Sequence, residues 1–254
     1  MDKKELEQLN NCLTELCLTI VRKQYLDLAE KAQSESLSYE EYLFSVLETE
    51  CETRRMRRID RRLKESRLPL EKNLRTFEMS RLPKKVNQQI KTLIEGDFIS
   101  HNENVLIFGN PGSGKTHLIC ALAQELIKQD KRILFMSCAL LLQELLLAKK
   151  DLRLPRLLKK LSRYDAIIID DIGYVQQEKE EMEVLFTLLA QRYEQGSVMI
   201  TSNLPFSKWE NIFKDPMMTA AAVDRIVHHS VILELNIDSY RMNTAKNRKI
   251  KEAS

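Results

Sequence analysis

Eight consecutive residues, Gly109-Asn110-Pro111-Gly112-Ser113-Gly114-Lys115-Thr116, satisfy G-x-x-x-x-G-K-[ST] at every fixed position. That spacing serves capture of a nucleoside triphosphate. The glycines let the backbone turn its N–H groups inward as an anion nest, and a helix starting at the end of the loop adds its partial positive charge. Lys115 is placed to reach the β- and γ-phosphates of ATP, and the Thr116 hydroxyl to ligate Mg²⁺, with His117 closing the contact set. A second motif, Ala166-Ile167-Ile168-Ile169-Asp170-Asp171, is an apolar run ending in two carboxylates. A strand that aims its last Asp at the loop lets Asp170 hold the metal, directly or through water. Asn203, just past the apolar run 197–201, is placed to orient a water toward the γ-phosphate.

These groups work only if a sheet brings them together. Val105–Phe108 reads as a buried strand leading into the loop, and His117–Lys128 as the helix leading out, with Leu118, Leu122 and Leu126 on one face. Arg132–Met136 is a second strand, followed by a leucine-rich helix over 140–149 and a basic one over 153–163. The carboxylate strand over 166–171 comes next, then a helix over 178–194 that Gly196 stops. A fourth strand covers 197–201, a helical stretch 217–223, and a last strand 231–235. The strand at 133–136 lies between the loop strand and the carboxylate strand in sequence, as in phosphate-loop ATPases that insert an extra strand between those two in the sheet. No N-K-x-D guanine-reading motif occurs, which agrees with the ATPase branch rather than the GTPase branch. Arg225 follows the helical stretch on the far side of the sheet from its own loop, a position suited to serving a neighbouring subunit. His228 and His229 are adjacent, point apart, and read as surface or packing residues.

The first 68 residues read as helical throughout, with no glycine before Gly96. Leu6, Leu9, Leu13, Leu16 and Ile20, continued by Leu26 and Leu28, mark a first helix. Ser38 with Glu41 forms a capping box for a second, whose Tyr42, Leu43, Val46 and Leu47 are expected to face inward. A third, from Arg54 to Arg67, carries Arg54, Arg55, Arg57, Arg58, Arg61 and Arg62 around a seam of Met56, Ile59 and Leu63. A run so nearly single-signed favours contact with a DNA or RNA phosphate backbone, the alternative being a protein-docking face. Pro69 to Pro83 forms a join, and Phe77 within it is a candidate contact for the adenine ring. The domain reading is therefore 1–68 helical, 69–100 connecting, and 101–254 nucleotide-binding with a basic tail.

The 254 residues carry a net charge of only +3, so whole-chain balance points to no partner. No apolar run approaches the ~18 residues of a membrane helix, and the N-terminus lacks an apolar leader; no membrane association and a cytoplasmic location are expected. The five cysteines show no C-x-x-C pair and read as reduced, mostly buried thiols.

Taken together, five stretches resemble the IstB/DnaC family of AAA+ ATPases, and more closely the IstB transposition helpers of insertion sequences. They are RRLKESRLP at 61–69, GNPGSGKTHL at 109–118, IIIDDIGYV at 167–175, RYEQGSVMITSNLPFSKWENIF at 192–213 and DRIVHHSVILELNIDSYRMN at 224–243. The resemblance implies an α/β fold: an AAA+ P-loop NTPase of the additional-strand (ASCE) type, with a parallel five-stranded sheet and a small all-α N-terminal domain. It implies a DNA-stimulated ATPase that forms a homo-oligomer on duplex DNA, bends it, and recruits and stimulates a partner transposase. By motif match Asn203 corresponds to sensor 1, Arg225 to the arginine finger and Arg241 to sensor 2. Where many relatives have Asp-Glu this chain has Asp170-Asp171, so Asp171 must orient the attacking water from one methylene farther away, and slow turnover is expected. Two other functions fit the phosphate loop. A DnaC-like helicase loader would use the same core on single-stranded DNA; a small-molecule kinase would leave Asn203 and Arg225 idle.

Overall fold

The computed structural model describes residues 2–173, 178–213, 215–237 and 239–240, which divide into two compact units, Met1–Arg61 and Arg62–Ser254. In the first unit, α1 (Lys3–Glu15) opens on a capping box in which Asp2 accepts from the Glu5 N–H at 2.7 Å and Glu5 from the Asp2 N–H at 2.8 Å. The chain then turns through Cys17, at φ 56°, and restarts as α2 (Val21–Ser34). The leucine repeat predicts one helix across this point. The break is tertiary in origin. Glu50, almost wholly buried, accepts from the N–H groups of Ile20 and Val21 at 2.8 and 3.1 Å, and its negative charge sits at the new helix N-terminus.

Ser38 and Glu41 cap α3 (Tyr39–Glu65) reciprocally, as expected. That helix joins into one what the sequence suggested were two, because no glycine or proline interrupts it. Leu13, Val21 and Val46 form its small core with α1 and α2. Leu43 and Leu47, expected inside, are 56% and 43% exposed, and Met56 is 60% exposed. Three helices alone have interior enough for only one stripe of each. The same shortage leaves Cys12, Cys17 and Cys51 exposed, against the expectation of mostly buried thiols; Cys120 and Cys138 are buried.

The second unit begins inside the last turn of α3 and takes in the segment expected to be a mere connector. Leu82, Val86, Ile90, Leu93, Phe98 and Ile99 are all buried there, because α4 (Lys84–Glu95) packs on the helix that follows the phosphate loop. After α5 (Asp97–Ser100) the elements alternate: β1 (Asn104–Gly109), α6 (Lys115–Lys128), β2 (Ile133–Ser137), α7 (Cys138–Lys150), α8 (Leu154–Leu161) and β3 (Ala166–Ile172). Then come α9 (Lys179–Arg192), β4 (Ser197–Ser202), α10 (Glu210–Phe213), α11 (Pro216–Val227) and β5 (Ser230–Leu235).

All five strands are parallel, in the order β2-β3-β4-β1-β5. An extra strand does separate the loop strand β1 from the carboxylate strand β3, but it is β4. The strand at 133–137 lies outside β3 at the sheet edge, where the Phe135 N–H donates to the Ser66 carbonyl at 2.8 Å. Val105, Leu106 and Ile107 of β1 and Ala166 to Ile169 of β3 are fully buried, as strands covered on both faces must be. Leu106, Ile167, Ile169, Val198 and Ile200 join the core formed with α7, α9 and α11; α6 and α4 pack against each other.

One buried cation ties the lower edge of this sheet together. Arg192, at the end of α9, donates to the carbonyls of Tyr164 (2.7 Å), Asp165 (2.9 Å) and Ser197 (2.8 Å), the starts of β3 and β4. Burial pushes its pKa down to about 10, and Gly196 is glycine because a Cβ there would strike the guanidinium. Arg192→Met should therefore cost about 3 kcal/mol by leaving several carbonyls without a donor, seen as a lower urea midpoint with unchanged slope.

Candidate functional site

The loop sits where β1 ends and α6 begins, so the first-turn N–H groups of α6, which no helical carbonyl can reach, point into it. Gly112 and Gly114 have φ of +81° and +95°, backbone that side-chain-bearing residues rarely adopt. Space is short at both as well: a Cβ on Gly112 would strike the Ser239 side chain, and one on Gly114 would crowd the Phe77 ring at 3.2 Å. Lys115, 6% exposed, donates from Nζ to the carbonyls of Gly109 (2.9 Å) and Asn110 (3.1 Å), which holds the ammonium across the loop mouth.

Beside the loop opens a cavity of about 410 Å³. Of the residues singled out from the sequence, Pro111, Gly112, Ser113, Gly114, Lys115, Thr116, His117, Asp171 and Asn203 line it, and so does Phe77. Asp170 lies just behind. It accepts from the Thr116 hydroxyl at 2.9 Å and from the Thr201 hydroxyl at 2.7 Å on the same Oδ1. Burial raises the Asp170 pKa, while the two hydroxyl donors oppose that rise. A divalent cation there would remove the cost of keeping the carboxylate charged.

Two buried oxygens in this region have no protein partner: Ser113 Oγ and Asn203 Oδ1. Buried polar atoms are rarely left unpaired, and both belong to residues that line the cavity, so a bound, hydrated phosphate ligand that shifts these side chains would give them partners. The donor set for Mg²⁺, one hydroxyl and one carboxylate with the rest left to water and phosphate, suits that ion's habit of keeping several waters.

The apolar end of the cavity was only partly legible. Phe77 packs edge-on against His117, ring centroids 5.2 Å apart. His117 Nε2 lies 3.1 Å from both Thr76 Oγ1 and the Asn73 carbonyl, so the join segment is fastened to the loop helix. Lys72, Thr76, Glu78, Arg81, Ile237 and Tyr240 also line the cavity and are not singled out by the sequence. The Tyr240 N–H donates to the Gly112 carbonyl at 3.0 Å, and the Arg81 guanidinium lies over the Tyr240 ring at 5.3 Å. Nothing in local spacing signals this, since residues 81, 112 and 240 meet only through the fold.

Arg225 does not line the cavity. It lies within α11 rather than after it, donates to the Ala221 carbonyl at 3.0 Å, and rests over the Phe186 ring at 4.9 Å. Arg241 falls outside the described residues, as do Tyr174 and Val175 of the carboxylate motif and the basic tail beyond residue 240. His228 and His229, expected to point apart, are both exposed but pack edge to face with ring centroids 4.2 Å apart, and among the described residues no metal-holding cluster of His, Cys, Asp or Glu is present. No helix among them is long and apolar enough to cross a membrane.

A parallel sheet with β4 between the loop strand and the carboxylate strand, a phosphate loop, and Asn203 at the end of β4 define a phosphate-loop nucleotide-binding protein of the additional-strand class. Solved structures agree on the fold. The DnaC helicase loader superposes with a TM-score of 0.57 at 19% identity, covering 66% of this chain and 97% of that one. DnaA bound to AMPPCP and single-stranded DNA gives 0.57 at 19%, covering 73% of this chain and 56% of that one.

The chain belongs to the IstB-like ATP binding protein family, which matches it over residues 11–248. An insertion sequence ATP-binding protein of Sinorhizobium fredii is 39% identical over 93% of this chain and 80% of its own length. The insertion sequence IS21 ATP-binding protein of Pseudomonas aeruginosa is 38% identical over 85% and 81%. That of IS5376 from Geobacillus stearothermophilus is 32% identical over 93% and 94%.

Proposed function

We propose that this protein is an ATP-hydrolysing, DNA-binding helper of transposition that works as a homo-oligomer on duplex DNA and engages a partner transposase. The observation that carries the reading is the division of the catalytic set. Lys115, Thr116, Asp171 and Asn203 line one cavity, with Asp170 hydrogen-bonded to Thr116 just behind it, whereas Arg225 is held on Phe186 away from it. In this reading the arginine that stabilises the γ-phosphate transition state is supplied by a second subunit, because Arg225 lies outside the cavity of its own chain. In the proposed reaction the loop N–H groups and Lys115 bind the phosphates, and Thr116 and Asp170 would hold Mg²⁺, which would supply neutralisation of phosphate charge. Asp171 and Asn203 orient the attacking water. Turnover then reports assembly, which suits a switch. The domain assignment follows: the helical N-terminal unit for DNA and partner contacts, the remainder for ATP. The test is the ATPase rate with and without duplex DNA, run beside particle size with ATP present. A rate that rises with protein concentration and with duplex supports the reading; a concentration-independent monomer rate rejects it.

The arginine-rich half of α3 supports the DNA contact, although its six arginines are not equivalent. Arg54 donates to Glu50 at 2.8 Å and to the Cys17 carbonyl at 2.6 Å, and Arg62 pairs with Asp130 at 2.9 Å; both serve the fold. Arg57 and Arg61, one turn apart and exposed, are the better phosphate contacts. Replacing both with Ala should weaken duplex binding regardless of sequence and reduce the salt slope by about 2, measured by titrating DNA at several salt concentrations.

The helicase-loader reading shares the ATPase core and the DnaC fold. The relatives named for insertion sequences favour the transposition reading, and preference for duplex over single strands separates the two.

A further inference from the structure

The two carboxylates at the end of β3 are adjacent in sequence, and adjacent residues of a regular strand point to opposite faces of the sheet. Yet Asp170 reaches the loop helix at Thr116 and Asp171 lines the same cavity. The pairing of β3 with β4 explains how. Ile169 lies opposite Ile200, but Ile172 lies opposite Ser202, so Asp170 and Asp171 share a single opposite residue, Thr201. This is a β-bulge, a device that re-aims side chains beside a site. It carries Asp171 into the left-handed region at φ 62°, which persists only where the surroundings hold it.

Thr201 is what holds it. Fully buried, its hydroxyl donates to Asp170 Oδ1 at 2.7 Å and accepts from the Asp171 N–H at 2.8 Å. The N–H that the bulge removes from the β3–β4 ladder thus finds a side-chain acceptor, and that same side chain fixes the orientation of the Asp170 carboxylate. Two residues further on, Asn203 lines the cavity from the same strand end. We infer that Thr201 is a positioning residue of the hydrolysis site: one hydroxyl sets the spacing between the metal-holding carboxylate, the water-orienting carboxylate and Asn203. The inference rests on the proposed reading that Asp170 holds Mg²⁺.

Two hydroxyl-deleting variants and one hydroxyl-keeping variant test it. The probe is a fluorescent ATP analogue titrated with Mg²⁺ and, separately, in EDTA; turnover is measured in parallel. Thr201→Val keeps the shape of the side chain and loses the hydroxyl. Outer partners of metal ligands typically contribute 10- to 100-fold, so the magnesium-dependent gain in affinity should fall about tenfold or more. Turnover should fall by at least as much, with affinity in EDTA unchanged. Thr201→Ser should restore both quantities to within about twofold, because it retains the donor and the acceptor. Thr201→Ala gives the same readout should the valine variant not fold. The proposal is overturned if Thr201→Val or Thr201→Ala keeps the full magnesium gain and turnover. It is equally overturned if Thr201→Ser fails as they do, since packing of the methyl group would then be the cause. Wild-type affinity indifferent to magnesium would instead reject the metal reading on which the inference stands.

Discussion

Arg225→Ala is expected to lower ATP turnover of the assembled protein by ~10³–10⁵-fold, the range an arginine finger supplies, while leaving nucleotide affinity essentially unchanged. The reason is geometric. The guanidinium is held by the Ala221 carbonyl and the Phe186 ring on α11 and α9, and the cavity of its own chain is lined without it. Deleting it should remove nothing that the ground-state nucleotide touches in that chain. Turnover measured beside fluorescence titration of ATP checks this, and loss of affinity in step with turnover would reject a role in trans. Mixing gives a sharper test. A chain carrying Arg225→Ala keeps an intact loop, and one carrying Lys115→Ala keeps an intact arginine. Equimolar mixtures of two inactive variants should therefore recover part of the activity, because mixed neighbours rebuild complete sites. Mixtures that stay inactive would count against the shared site.

The second large effect is Lys115→Ala, which should weaken ATP binding itself by about 100-fold or more. Hydrogen bonds to charged groups contribute about 1.5–3 kcal/mol each, and two lost bonds to phosphate oxygens reach that figure. Lys115 also spans the carbonyls of Gly109 and Asn110, so its loss frees the loop that presents the N–H groups. Equilibrium titration is the measurement. Should affinity survive and turnover alone collapse, the lysine would act only on the transition state. In that outcome the ground-state phosphates would rest on the α6 N-terminus alone.

What the sequence determined by itself is local chemistry and local structure. The loop, its strand and its helix are contiguous, so their spacing is visible along the chain, and the cavity-lining residues 111–117 follow from it. The inner strands β1, β3 and β4 were legible because parallel strands buried on both faces read as apolar runs. The edge strands β2 and β5 were legible because short apolar runs survive in them although they are less fully buried. The capping box at Ser38 and Glu41 was legible because both partners lie within one turn.

Only the tertiary structure decided which strand lies next to which, and so that β4 rather than the strand at 133–137 separates the loop from Asp170 and Asp171. Strand order depends on crossovers that leave no trace in residue pattern. It likewise decided that α1 and α2 part where Glu50 caps the second of them, that Arg54 pairs with Glu50 and Arg62 with Asp130, and that Arg81 and Tyr240 line the cavity beside the loop. The bulge opposite Thr201 belongs with these. A threonine in an apolar strand carries no mark of its role until the strand beside it supplies the carboxylate and the orphaned N–H that its hydroxyl joins.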